Sequence, residues 1–152
     1  MLIKMGATLV SLISPVVAVA IAVWGFGRTT KADRLKAFFD IQERYLSPEV
    51  REGRKLIYSL AGTAMDDLTP HVATKISTAL AVMNSIAIAA EAGYVDRKLV
   101  AQSMGRSFTA AVHTARPYVD HLESLRGFRP FPFAERLANQ LNKAGHVAEG
   151  GN

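Results

Sequence analysis

The chain contains no cysteine. Disulfides and thiolate metal sites are therefore excluded, and cysteine usage gives no hint of the redox compartment. Charge is missing from one long stretch: between Met5 and Phe26 no Asp, Glu, Lys or Arg occurs. Acidic residues are the scarcer sign overall, 13 against 18 Lys and Arg, for a formal charge of +5. That balance predicts a basic surface, suited to anionic lipid or nucleic acid. No alternating apolar and polar run of useful length is present, which argues against strands. Also absent are a nucleophile elbow and a glycine loop with phosphate-binding spacing. His71, His113, His121 and His146 are scattered, without the i, i+4 pairing of a metal-binding helix. The reading is of a chain with no enzymatic role, no cofactor and no metal.

What is present begins with the uncharged run. About 22 residues at about 1.5 Å each span roughly 33 Å, enough to cross a bilayer core. Three readings compete for it. Ala18-Val19-Ala20 has the small-x-small spacing of a signal-peptidase site, yet the apolar run continues past Ala20 into a basic flank. A buried soluble helix is the second reading. The third, a retained membrane helix over residues 5–27, fits best, with Trp24, Arg28, Lys31 and Arg34 at the membrane interface. Arg28, Lys31, Arg34 and Lys36 outnumber Lys4 and the terminal amine on the other flank. The more basic side stays inside, so the expectation is N-terminus out and domain cytoplasmic.

Residues 28–144 read as a helical bundle, giving an all-α chain behind a single N-terminal transmembrane helix. Leu35, Phe38, Phe39, Gln42, Tyr45 and Leu46 fall near one face of a helix over 30–45. Ser47-Pro48-Glu49 and Thr69-Pro70 each place an N-cap before a proline suited to the first helical turn. The first opens a helix to about Ala61, the second one to about Ala92, and Asp96 caps another. The helix from Thr69 is apolar between Lys75 and Glu91, but short and dotted with Ser, Thr and Asn, which suits a bundle centre. Met104, Phe108, Ala111, Ala115, Tyr118, Leu122 and Leu125 are spaced 4-3-4-3-4-3, a packing seam that Pro117 should kink near Arg116. RGFRPFPF, residues 126–133, reads as an extended connector with its phenylalanines under the bundle. A last amphipathic helix follows, and residues 145–152 read as a disordered tail.

Several of these stretches together resemble a known family. FFDIQERYLSPEVREGRKLIYSL, MNSIAIAAEAGYVDRKLV and ARPYVDHL are similar to an uncharacterised bacterial family catalogued as domain of unknown function 4760. Tyr45, Ser47, Pro48, Glu49, Arg51 and Arg54 match its helix start. Asn84, Gly93 and Asp96 match an Asn-bearing helix, and Arg116, Pro117 and Tyr118 a kinked one. The resemblance covers roughly residues 35–125, departs from the pattern at Ser85-Ile86, and implies a small helical domain behind a membrane helix, with no established activity.

Ser47, Glu49, Arg51, Arg54, Asn84, Arg116 and Tyr118 are the candidate ligand or partner contacts. Each also has a plain structural role open to it. Ser47 can cap its helix, Asn84 can be a satisfied buried amide, and Arg116 can pair with Asp120, Glu49 or Glu91. The expected partners are the lipid bilayer and a protein or second copy, rather than nucleic acid. The function read from this is an adaptor or regulatory module at the bacterial inner membrane. The alternative is a small phage-related or envelope effector acting through its membrane helix.

Overall fold

Six α-helices follow one another in the computed structural model, which describes residues 31–149. They are α1 (Lys31–Leu46), α2 (Pro48–Tyr58), α3 (Pro70–Glu91), α4 (Arg97–Thr114), α5 (Arg116–Arg126) and α6 (Pro132–Glu149). A 3-10 turn, Met65–Asp67, lies between α2 and α3. Among the described residues there is no strand. The predicted membrane helix at 5–27, with Trp24 and Arg28, lies outside the described residues. The chain divides into two units, Met1–Arg34 and Leu35–Asn152. Of the first only the opening turn of α1 is described, and the bundle belongs to the second.

The helix starts follow from local chemistry. Ser47 Oγ accepts from the Val50 amide at 3.4 Å, with Pro48 in the first turn. Thr69 Oγ1 accepts from Val72 at 3.4 Å ahead of Pro70, and Asp96 Oδ1 from Lys98 at 2.8 Å. In each case a side-chain oxygen satisfies one of the amides that a helix start leaves bare. Gly93 and Gly127 follow α3 and α5 with φ of 78° and 75°, the left-handed conformation in which a side chain would be strained. Helix α2 ends at Tyr58, a turn before the predicted Ala61.

Helix α3 is the hub, packing against α2, α4 and α6. It is the one helix among the described residues long and apolar enough to cross a membrane, with mean hydropathy 1.5 over its most apolar window. Ile76, Ala79, Leu80, Met83, Ile86 and Ala87 are buried within the bundle, as expected of a central helix. Where α2 crosses it the backbones nearly touch. A Cβ on Gly53 would stand 2.5 Å from the Lys75 carbonyl oxygen and 2.6 Å from the Ala79 Cβ.

Pro117 does more than kink the seam. It divides it into α4 and α5, with Ala115 as the joint (φ −75°, ψ −7°). Beyond the joint the seam positions Tyr118 and Leu122 stay buried, joined by Val119, and only Leu125, in the last turn of α5, is 70% exposed. Leu125 is thus a correction to the seam. Helix α1 departs similarly: Phe38 and Tyr45 are buried, whereas Leu35, Phe39 and Leu46 face outward. The closing helix is described through Glu149, past the start of the expected tail at residue 145.

Candidate functional site

The connector after α5 gathers more polar contacts than any other stretch described. Arg129 lies at its centre. Its Nε and Nη2 donate to the two carboxylate oxygens of Glu135 at 2.6 and 2.5 Å, while Nη1 donates to Asp120 at 2.8 Å and Glu123 at 2.6 Å. A planar guanidinium fork suits this division, one edge taking a carboxylate bidentately. Hydrogen bonds to Glu135 first, then to Asp120 and Glu123, push its pKa above the ordinary arginine value. One cation thereby fastens the end of α5 to the start of α6.

Two residues on, Phe131 has φ 58°, an unusual conformation for an aromatic and more so before a proline. Backbone in such a region costs roughly 1–3 kcal/mol and persists only where its surroundings fix it. The ring packs against both clusters of the core, and Pro130 beside it is buried. Immediately after, Asn84 Oδ1 accepts from the backbone amides of Phe133 at 3.0 Å and Ala134 at 3.1 Å. An amide on α3 is therefore the cap of α6, supplied from 49 residues earlier in the chain. Arg136 completes the junction, donating to Glu91 at 2.7 Å and lying 5.0 Å over the Phe133 ring.

The other predicted residues occupy separate places. Tyr118 is buried; its hydroxyl donates to the Ala73 carbonyl at 2.9 Å and lies 2.7 Å from Ser77 Oγ. It forms part of an open cleft of about 470 Å³ between α3 and α5, lined also by Ala73, Ser77, Thr78, Leu122 and Phe131. Arg54 lies 4.0 Å over the Tyr45 ring, and its Nη2 donates to the Tyr45 carbonyl at 3.5 Å. The Tyr45 hydroxyl meets Ser107 Oγ at 2.9 Å. Ser47 is spent on its cap. Glu49, Arg51 and Arg116 are exposed, as are Lys31 and Arg34 in the first turn of α1.

Arg116 corrects an expectation, since each proposed partner is otherwise placed. Asp120 binds Arg129, Glu91 binds Arg136, and Glu49 is exposed on the first turn of α2. Among the described residues, no hydrogen bond or ion pair links Glu49, Asn84 and Arg116, and no group of three His, Cys, Asp or Glu is arranged to hold a metal. Elsewhere Lys75 donates to Glu52 at 2.5 Å, joining α2 to α3 and holding that carboxyl below the usual range. Tyr58 is pushed upward by partial burial.

Sequence reasoning missed Arg129. The available signal was Asp120 and Glu123, one turn apart on α5, with Glu135 beyond a Pro-Phe connector that holds one arginine between two aromatics. The connector's phenylalanines also divide: Phe131 and Phe133 are half-buried, while Phe128 is 60% exposed.

These features define a class of protein: a small all-helical bundle around one central helix, closed by a polar clasp over a strained connector. Its family follows from comparison, for residues 12–141 match the family described as Domain of unknown function (DUF4760), and the chain belongs to it. That match starts inside the uncharged N-terminal run and takes in every helix of the bundle as far as Leu141. No curated protein and no solved structure matches the chain.

Proposed function

We propose that this protein is a membrane-anchored, non-enzymatic interaction module whose helical bundle works on the cytoplasmic side of the bacterial inner membrane. The observation that carries the reading is how its polar side chains are spent. Asn84, Tyr118 and Arg129 each bind backbone or side chains of a neighbouring helix, so they serve to hold the bundle in one arrangement. Beside its exposed charges the bundle carries exposed large apolar side chains, Leu35, Phe39, Leu46, Leu125 and Phe128, and the sequence before it holds the uncharged run with its basic stop. A rigid domain with apolar residues outside and a span-length apolar segment suits an adaptor or regulatory subunit.

The test is fractionation followed by a segment swap. The intact chain is expected in the membrane fraction after lysis; its recovery in the soluble fraction overturns the reading. Replacing residues 7–26 by an unrelated span should leave an adaptor's cellular effect in place. Loss of that effect would instead favour an effector acting through the apolar segment itself.

A further inference from the structure

We propose that α1 is a pairing helix, and that it joins two copies of this chain side by side and parallel. Helix α1 has two apolar faces. Phe38, Ile41 and Tyr45 form the one that its own bundle covers. Leu35, Phe39, Gln42 and Leu46 form another, about a quarter-turn round the helix. None of the described residues covers that second face: Leu35 is 45% exposed, Phe39 56% and Leu46 52%. Its spacing is 4-3-4, the repeat by which two helices interlock.

Three observations favour a second copy as the occupant. The first is that a 4-3 stripe is complementary to itself under a two-fold axis, the commonest symmetry of soluble oligomers, and Gln42 in mid-stripe is the kind of polar residue that fixes register. The second comes from the chain before the described residues. Read backward in the same 4-3 phase, the sequence places Ala32 and Arg28, then Gly25, Ile21, Ala18, Ser14, Ser11 and Ala7. Within the uncharged run, five of these six positions are Gly, Ala or Ser. Small residues on one phase are what helix pairing in a bilayer needs, and large apolar ones are what pairing in water needs. The phase changes from one to the other where the uncharged run ends. The third is charge. Glu43 lies beside the C-terminal half of the stripe, which suits a neighbouring helix better than anionic headgroups. In the parallel register Lys31 of one copy approaches Lys36 of the other, so added salt should strengthen the pairing.

The argument from the uncharged run rests on the membrane reading; the stripe on α1 does not. Because the chain has no cysteine, single cysteines report directly. L35C, F39C and L46C test the stripe, and D40C and R44C the opposite face. The full-length chain is oxidised in isolated membranes, with the soluble fraction of the same lysate treated in parallel. Circular dichroism of each variant confirms the bundle. A same-residue disulfide needs Cα atoms within about 7 Å, so the stripe variants should give about tenfold more dimer than the controls. Dimer at both ends of the stripe, L35C and L46C, establishes the parallel register. Equal yields on both faces, no dimer on the stripe, or dimer confined to F39C overturns the proposal. The two readings fail separately. Stripe dimers found in the soluble fraction keep the pairing and sink the anchor, whereas membrane-bound chain without dimers keeps the anchor and sinks the pairing.

Discussion

Asn84 shows how one side chain can fix the place of a whole helix. Its amide oxygen accepts two backbone N–H groups at the start of α6, groups that would otherwise have no partner within the helix. Phe131, just before them, is held in a left-handed conformation that an aromatic does not choose by itself. The cap and the ring packing therefore act together, each holding the other in place. Asn84→Ala should cost about 1–2 kcal/mol, the usual loss for removing a cap, while Asn84→Asp should retain most of the stability. Aspartate keeps the acceptor and adds a negative charge at the positive end of the α6 dipole. Urea denaturation of the three proteins checks the order, and amide exchange at Phe133 and Ala134 should quicken in the Ala variant alone. Equal midpoints for wild type and Asn84→Ala would show that the connector is held without the cap.

At the scale of elements, two glycines inside helices make opposite predictions. Gly53 lies where α2 crosses α3, and an added methyl would overlap the Lys75 carbonyl and Ala79. Since neither is the free end of a flexible side chain, Gly53→Ala must push the helices apart and should cost about 1–3 kcal/mol. At Gly105 the nearest atoms to an added Cβ are at 3.8 Å, ordinary contact, so Gly105→Ala should stabilise α4 by about 0.5–1 kcal/mol. Thermal melts of both variants decide it, and a stabilised Gly53→Ala would refute the close crossing. Elements of this kind were largely legible in the sequence. Ser47, Thr69 and Asp96 are local signals, each acting on an amide two or three residues away, and each caps the helix it was expected to cap. The buried residues of α2, Val50, Gly53 and Ile57, recur at helical spacing and are a local pattern of the same kind. What stayed hidden depends on distant parts of the chain. Arg129 draws carboxylates from two helices, and Asn84 reaches an amide 49 residues away, so neither has a fixed spacing to read. Leu125 was misplaced because it falls in the last turn of α5, past Leu122, the last seam residue that the bundle buries.

On the scale of the whole bundle, α6 joins last in sequence yet covers the middle of the core. It packs against both α3 and α4, bringing Ala134, Leu137 and Ala138 against a cluster that includes Val82, Met83, Ile86 and Phe108. Arg129 and Asn84 fix only where it begins, so the burial along its length must supply the rest of its hold. A chain ending at Gly127 loses that cover together with Arg129 and the whole clasp. At about 25 cal/mol per Å² of apolar surface, uncovering even a few hundred Å² costs several kcal/mol, comparable with the stability of a small domain. That truncation should unfold without a cooperative transition and bind a hydrophobic dye. Ending the chain at Ala144 is a different matter. Among the residues of α6 whose side chains are described, Leu141 is the last packed against the cluster, and Asn142, Lys143 and Ala144 are exposed. This shorter cut should melt within about 0.5 kcal/mol of the full chain, because the last described side chains before it are already exposed. The pair of truncations, compared by thermal melting and dye fluorescence, measures how much of the bundle depends on its last helix. A cooperative, dye-silent product from the Gly127 cut would mean that α2 to α5 form a self-sufficient core and that α6 is only an addition to it.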